Sequence, residues 1–212
     1  YTLKYKQVWS MMIFTNVEDC CSDVGDHVGV LFYLKTFKSI ELKGYVMKLS
    51  VIGLRGFPMV EGGVEKHCES LYPRLDKDIE VTVYRRKPYV KFKGNYEHIS
   101  FVDLPSTKIK GVEPFFHSFI ASIDALIKKP DVVHYHNIGP ALFSPIVKLR
   151  RIPVVLTYHS PNYEHDKWGY SARKLLLFAE KVALKTADKI IFVNRFQMEK
   201  YEDDVRKKSI YL

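Results

Sequence analysis

Cysteine is scarce in this sequence, with only Cys20, Cys21 and Cys68 present. Adjacent residues such as Cys20 and Cys21 rarely bridge each other, and no Cys-x-x-Cys is present for metal or redox chemistry. The reading is reduced thiols in a cytoplasmic protein. Long apolar runs are also missing. The longest, Val28 to Leu34, is interrupted by Gly29 and falls far short of the roughly 18 residues that cross a bilayer; no signal peptide of the usual form is visible. Neither Gly-x-Gly-x-x-Gly nor a Gly-Lys-Ser/Thr phosphate loop occurs, which disfavours a nicotinamide enzyme and a P-loop nucleotidase. His134 and His136 have half the spacing of a metal site, but no carboxylate or third histidine completes it, so no metal is expected.

What is present is core material and positive charge. A hydrophobic fraction of 47%, with 14% aromatic residues, suffices for a packed interior and excludes a disordered chain. The net charge of +9 is uneven: residues 1 to 46 are neutral overall, so the whole excess lies from Met47 onward. A basic second part favours an anionic partner, whether a phosphorylated substrate or a membrane surface. The basic residues are scattered over loops without a recognised nucleic-acid motif, so nucleic acid is not expected as a partner.

The chain is organised around Met47 to Gly63. Leu49, Val51 and Ile52 form a short strand that breaks at Gly53 and Gly56, and Gly62 and Gly63 open a helical pattern at Val64. Glycine lets backbone amides approach a ligand closely. At a helix start those amides suit a phosphate, although a plain tight connection between strand and helix has the same spacing.

From there strands and helices alternate. Strands are expected at Ile79 to Tyr84, His98 to Leu104, Asp131 to His136, Ile152 to Tyr158, Lys189 to Val193 and from Ser209. Helices are expected at Val64 to Leu75, Gly139 to Leu149, Ser171 to Thr186 and Phe196 to Tyr201. Another, Glu113 to Lys129, is expected to turn Phe116, Phe119, Ile120, Ile123 and Ile127 inward. The pattern predicts an α/β fold with a doubly wound parallel sheet and right-handed crossovers. Residues 1–46 read as an appendage without assignable chemistry, and 47–212 as the domain, with Met47 looking like a natural start.

Ligands of such sheets bind outside the carboxyl ends of the strands. The first strand delivers Arg55, Gly62 and Gly63 there, the fourth His134 and His136, the fifth His159 and the sixth Asn194. His159 is the best candidate for chemistry, since a near-neutral imidazole can hydrogen-bond or exchange a proton with a hydroxyl or phosphate. A histidine that merely caps the strand end fits the same position. Two histidines two apart on a strand point the same way, with one expected to pack and the other to reach the cleft.

Several ordered stretches resemble the N-terminal domain of family 4 glycosyltransferases, retaining enzymes of the GT-B fold, and most closely the bacterial rhamnosyl and polysaccharide branch. They are Ile52 to Pro58 with Glu61-Gly-Gly-Val-Glu65, Asp131-Val-Val-His-Tyr-His136, Leu156-Thr-Tyr-His-Ser160, and Trp168 through Val193. The resemblance implies a Rossmann-like half that works on the acceptor side. It further implies transfer of a hexosyl or deoxyhexosyl group from a nucleotide-sugar to a glycan or lipid-linked acceptor, with retention, in cell-surface polysaccharide synthesis. His159 would match the active-site histidine, His136 would line the acceptor cleft, and Gly62 and Gly63 would meet the diphosphate or the acceptor. No metal or cofactor is implied, the nucleotide-sugar being a substrate. The donor-binding C-terminal domain of such enzymes has no counterpart in these 212 residues, so weak or no activity is expected of them alone. Arg85 to Lys87, Lys91, Lys93, Lys108 and Lys110, read as loop residues, would suit docking on the inner face of an anionic membrane. A non-catalytic module binding a glycan or phospholipid head group, and a piece of a nucleotide-sugar epimerase, are the alternatives.

Overall fold

A computed structural model of the protein describes residues 46–212 apart from 95, 108, 110, 162 and 164–168. The chain divides into two units between Lys43 and Gly44, and only the second contains described residues. The expected appendage, except Val46, therefore lies outside them, as do Lys108, Lys110 and Trp168.

Seven strands form one sheet among the described residues: β1 (Met47–Ile52), β2 (Ile79–Arg86), β3 (Ile99–Leu104), β4 (Val132–His136), β5 (Val154–Tyr158), β6 (Lys189–Phe192) and β7 (Ser209–Tyr211). Their order is β3-β2-β1-β4-β5-β6-β7, and every adjacent pair is parallel. This is the doubly wound sheet expected of the sequence. Chain order reverses between β1 and β4, where Val51 stands beside His134 and Ile52 beside Tyr135. Connections diverge on either side of such a pair and leave a crevice above it.

The helices are α1 (Gly63–Leu71), continued by a 3-10 turn at Tyr72–Arg74, then α2 (Glu113–Lys128), α3 (Ile138–Ala141), α4 (Ser144–Lys148), α5 (Tyr170–Thr186), α6 (Arg195–Glu199) and α7 (Asp203–Arg206). The single helix expected over 139–149 is thus two short ones. Right-handed crossovers put α1 on one face of the sheet and α2 to α5 on the other. Strand β4 shows both faces: His134 and His136 turn toward Tyr72 at the end of α1, while Tyr135 meets Ser122 of α2, 2.7 Å between hydroxyl oxygens. All five β4 residues are buried, as are all five of β5.

Two expectations are overturned. Helix α2 buries His117, Ser118, Ala121, Ser122 and Ala125 and leaves Phe116, Phe119, Ile123 and Ile127 exposed. A stripe of small residues lets the helix backbone approach the sheet closely, and Ser122 satisfies its hydroxyl on the Ser118 carbonyl and Tyr135. Periodicity finds a stripe without saying which of two stripes faces in. Arg85 and Arg86 are also not loop residues. They end β2, are at least nine-tenths buried, and pair with Asp103 at 2.7 Å and Glu113 at 3.6 Å.

The crevice depends on Gly53, which sits at φ +119°, where an added Cβ would fall 2.3 Å from the His136 carbonyl oxygen. Gly63 has open space around the same position. Gly53→Ala is therefore expected to cost roughly 3 kcal/mol of stability, and Gly63→Ala to change it by less than about 1 kcal/mol. Urea unfolding of the two variants checks the contrast; equal losses would contradict it.

Candidate active site

Four histidines gather at the switch between β1 and β4. His134 and His136 come from β4, His159 directly follows β5, and His67 comes from α1. The rings of His134 and His136 are 4.4 Å apart, His136 and His159 5.3 Å, and His67 and His159 5.3 Å. Parallel pairing of β4 with β5 brings the ends of these strands together.

Hydrogen bonds tie the group into one line. Thr157 Oγ1 lies 2.7 Å from His134 Nε2, and the Tyr72 hydroxyl 2.9 Å from His134 Nδ1. The same hydroxyl is 2.6 Å from His136 Nε2, and His136 Nδ1 is 3.0 Å from His159 Nε2. Cys68 Sγ makes a looser contact with His136 Nε2 at 3.5 Å. His134 and His136 are completely enclosed, so the expectation that His136 lines a cleft is corrected. Both histidines pack under α1 because both point to that face, and only His159, partly exposed, reaches outward. Its Nδ1 has no protein partner among the described residues.

Burial, with the neighbouring imidazoles adding to it, pushes His134 down to about 3 and His136 well below the ordinary imidazole value. Burial and His67 push His159 down to about 4. All three are neutral at pH 7. Desolvation likewise raises the thiol of Cys68 and the phenol of Tyr72, so no member of the line carries charge.

The glycine loop beside them is held by charge. Glu65 Oε1 accepts from the Arg55 amide at 3.0 Å and from Arg55 Nε at 3.1 Å, and Arg55 Nη2 donates to the Glu61 carbonyl at 2.6 Å. Burial works to raise the Glu65 carboxyl, but the hydrogen bonds from Arg55 outweigh it and hold it below its usual range. Gly62, at φ +146°, is required here: a Cβ would fall 2.0 Å from Glu65 Oε2 and 2.3 Å from Arg55 Nη2. Arg55 and Gly62 thus belong to one braced loop, and Gly63 stands at the first turn of α1, where an added Cβ would meet nothing within 4 Å.

Asn194 is placed elsewhere. Its side chain accepts from the Gln197 amide at 3.3 Å and caps α6, at the end of β6, two strands from β4. Sequence reasoning missed Tyr72, Thr157, Glu65 and His67. Tyr72 carries no local polar signal within the helix expected over Val64 to Leu75, and Thr157 stands inside the strand expected over Ile152 to Tyr158. No group of side chains suited to a metal ion is found among the described residues.

Neutral buried histidines make the fold sensitive to acid. His117, enclosed against Arg86, is also pushed down to about 4 by burial. Unfolded imidazoles take up protons near pH 6.5 while these native rings do so only near 3 to 4, so the unfolded chain binds more protons between those values. Stability is full above about pH 6.5 and falls as pH drops below it, by up to about 1.4 kcal/mol per unit for each such ring. The urea midpoint is expected to be clearly lower at pH 5 than at pH 7; an unchanged midpoint would contradict the neutral assignment.

Comparison with known proteins places this geometry. Sucrose-phosphate synthase from Thermosynechococcus elongatus superposes with a TM-score of 0.58 at 19% identity, covering 78% of this chain and 47% of that one. UGT2 of Phytolacca americana, solved with UDP-2fluoro-glucose and pterostilbene, superposes at 0.50 with 10% identity, over 76% of this chain and 52% of that one. The chain spans about half the length of these solved relatives. No curated protein matches the sequence. The sheet is that of the N-terminal half of the GT-B fold. The model of Glycosyltransferase Family 4 matches residues 61–211, from the glycine loop to the last strand, and the chain belongs to that family.

Proposed function

We propose that this chain is the acceptor-side half of a retaining glycosyltransferase that moves a hexosyl or deoxyhexosyl group from a nucleotide-sugar to a glycan or lipid-linked acceptor in cell-surface polysaccharide synthesis. The observation that carries the reading is His159, at the switch crevice, the member of a buried hydrogen-bonded line that keeps a ring nitrogen without a partner among the described residues. Family membership supports the reaction class. The loop with Arg55, Gly62 and Gly63 supports a role beside a diphosphate or acceptor, since it leads into the first turn of α1, whose amides suit an anion, and Gly63 has no neighbour within 4 Å of where a Cβ would stand. Backbone amides and basic side chains stabilise a departing diphosphate without a metal.

With the protein at the length its source cell makes, and a panel of nucleotide-sugars, His159→Ala is expected to lower kcat by on the order of 100-fold, the usual cost of one missing donor at developing charge. Full activity in that variant would remove His159 from the chemistry. Glycan binding without turnover on any donor would favour the binding module instead.

A peripheral position on an anionic membrane is part of the proposal, and the surface supporting it differs from the basic loops read in the sequence. Phe116 and Phe119 are each 43% exposed and Ile127 65%, one apolar stripe on the outer side of α2 that also includes Ile123. Lys129 is exposed at the end of α2, beside Lys128, which is paired with Asp124 at 2.7 Å. Leu149, Arg150 and Arg151 are exposed at the end of α4, which packs on α2. An apolar helix face flanked by cations fits the boundary of an anionic bilayer, where each cation contributes about 1 kcal/mol. The double variant Phe116→Glu, Ile123→Glu is expected to bind phosphatidylglycerol vesicles at least about tenfold more weakly in co-sedimentation while keeping its urea midpoint. Undiminished binding would exclude this face.

A further inference from the structure

The line of hydrogen bonds behind His159 has a direction, and a threonine sets it. Thr157 is completely buried, and its hydroxyl has one partner among the described residues, His134 Nε2 at 2.7 Å. A buried hydroxyl hydrogen without an acceptor is costly, whereas an unused hydroxyl lone pair is cheap. Thr157 therefore donates to His134 Nε2. A neutral imidazole carries one hydrogen, so His134 holds its own on Nδ1 and donates it to the Tyr72 oxygen at 2.9 Å. The single phenolic hydrogen of Tyr72 goes on to His136 Nε2 at 2.6 Å. His136 then carries its hydrogen on Nδ1 and donates it to His159 Nε2 at 3.0 Å. With Nε2 accepting, neutral His159 carries its hydrogen on Nδ1.

We propose that Thr157, His134, Tyr72 and His136 are positioning residues that lock His159 as the Nδ1–H tautomer, so that it offers the crevice a hydrogen-bond donor and not a base. Nδ1 is the nitrogen without a partner among the described residues. Its ligand is an oxygen acceptor on the bound substrate, a phosphate oxygen or a sugar hydroxyl. The reverse arrangement, with His159 Nε2 donating inward and Nδ1 presenting a lone pair, would strand the Thr157 hydrogen in the core. Groups facing His159 do not displace the pattern. His67 on α1 lies 5.3 Å away ring to ring, and Glu65, the nearby carboxylate, is engaged by Arg55. Cys68 adds only a weak thiol contact to His136 Nε2.

The inference rests on His159 lining the site proposed above, but its test needs no turnover, so the two readings fail separately. In protein labelled with ¹⁵N at histidine, two-bond ¹H–¹⁵N correlation spectra at pH 7 report the tautomer of each ring, and the His159 signals are assigned by their loss in His159→Gln. The expected pattern for His159 is a pyrrole-type Nδ1 and a pyridine-type Nε2. The opposite pattern, or a charged ring, overturns the proposal whether or not Tyr72→Phe folds. In Tyr72→Phe, which removes only the linking oxygen, the His159 Nδ1 signal is expected to move toward the average of a mixed tautomer. Thr157→Ser, which keeps the hydroxyl, is expected to leave it at the wild-type position. An unchanged His159 in folded Tyr72→Phe would show that the line does not set its tautomer.

Discussion

Two imidazoles buried side by side on one strand are the constraint on which the crevice depends. His134 and His136 must share a face because a strand alternates, and that face is roofed by α1 in a doubly wound sheet. With their rings 4.4 Å apart and no water to solvate them, neither can hold a charge at neutral pH. Two neutral rings still need partners for four nitrogens. Tyr72 answers for two of these, because a phenol accepts one hydrogen bond while donating another. Thr157 and His159 take the outer nitrogens. The third structural need is space, and Gly53 provides it by letting the end of β1 lie against the His136 carbonyl. Packing and polar satisfaction are therefore the same problem here, and the exposed end of the solution is a histidine at the crevice.

The surrounding charges follow a different rule. Arg55 is matched by Glu65, Arg85 by Asp103 and Arg86 by Glu113. Arg55 and Glu65 tie the loop after β1 to α1, Arg85 and Asp103 tie β2 to β3, and Arg86 and Glu113 tie the end of β2 to the start of α2. The Arg86 pair is the loosest: burial lowers the guanidinium, and Glu113 only partly offsets that. Two of the charges read in the sequence as loop charge, Arg85 and Arg86, are in this way absorbed by Asp103 and Glu113. Lys87, Lys91 and Lys93 stay exposed as read, and an apolar stripe on α2 is exposed as well.

The fold was legible because its signals are local. Ile152 to Tyr158 reads as a strand, and Val154–Tyr158 forms one, buried throughout; glycines mark the β1 turn, and all seven described strands fall where the alternation puts them. His159 was legible as a strand-end residue. The partners that give it a role were not, since Tyr72 is 64 residues from His136 and His134 is 23 from Thr157. Such pairings arise from topology and leave no local spacing. The face of α2 misled for a related reason. Two stripes of the same period lie on that helix, one large and one small, and the choice between them depends on how closely the sheet must be approached, which Ser118, Ala121, Ser122 and Ala125 decide.

These features together define what this domain can present to a ligand. Arg55, Arg85 and Arg86 are paired and His134, His136 and His159 are neutral, so a ligand approaching the crevice meets dipoles in preference to free charge. Dipoles fixed by packing need no reorganisation when charge develops on a ligand oxygen, which is the condition under which electrostatic stabilisation is most effective. They also discriminate by direction, because an N–H rewards an acceptor and rejects a donor, whereas a cation attracts any anion. A buried line ending in one outward ring nitrogen therefore suits the positioning of a particular oxygen better than the capture of charge. Capture is better served by the cations exposed at the ends of α2 and α4, away from the buried line.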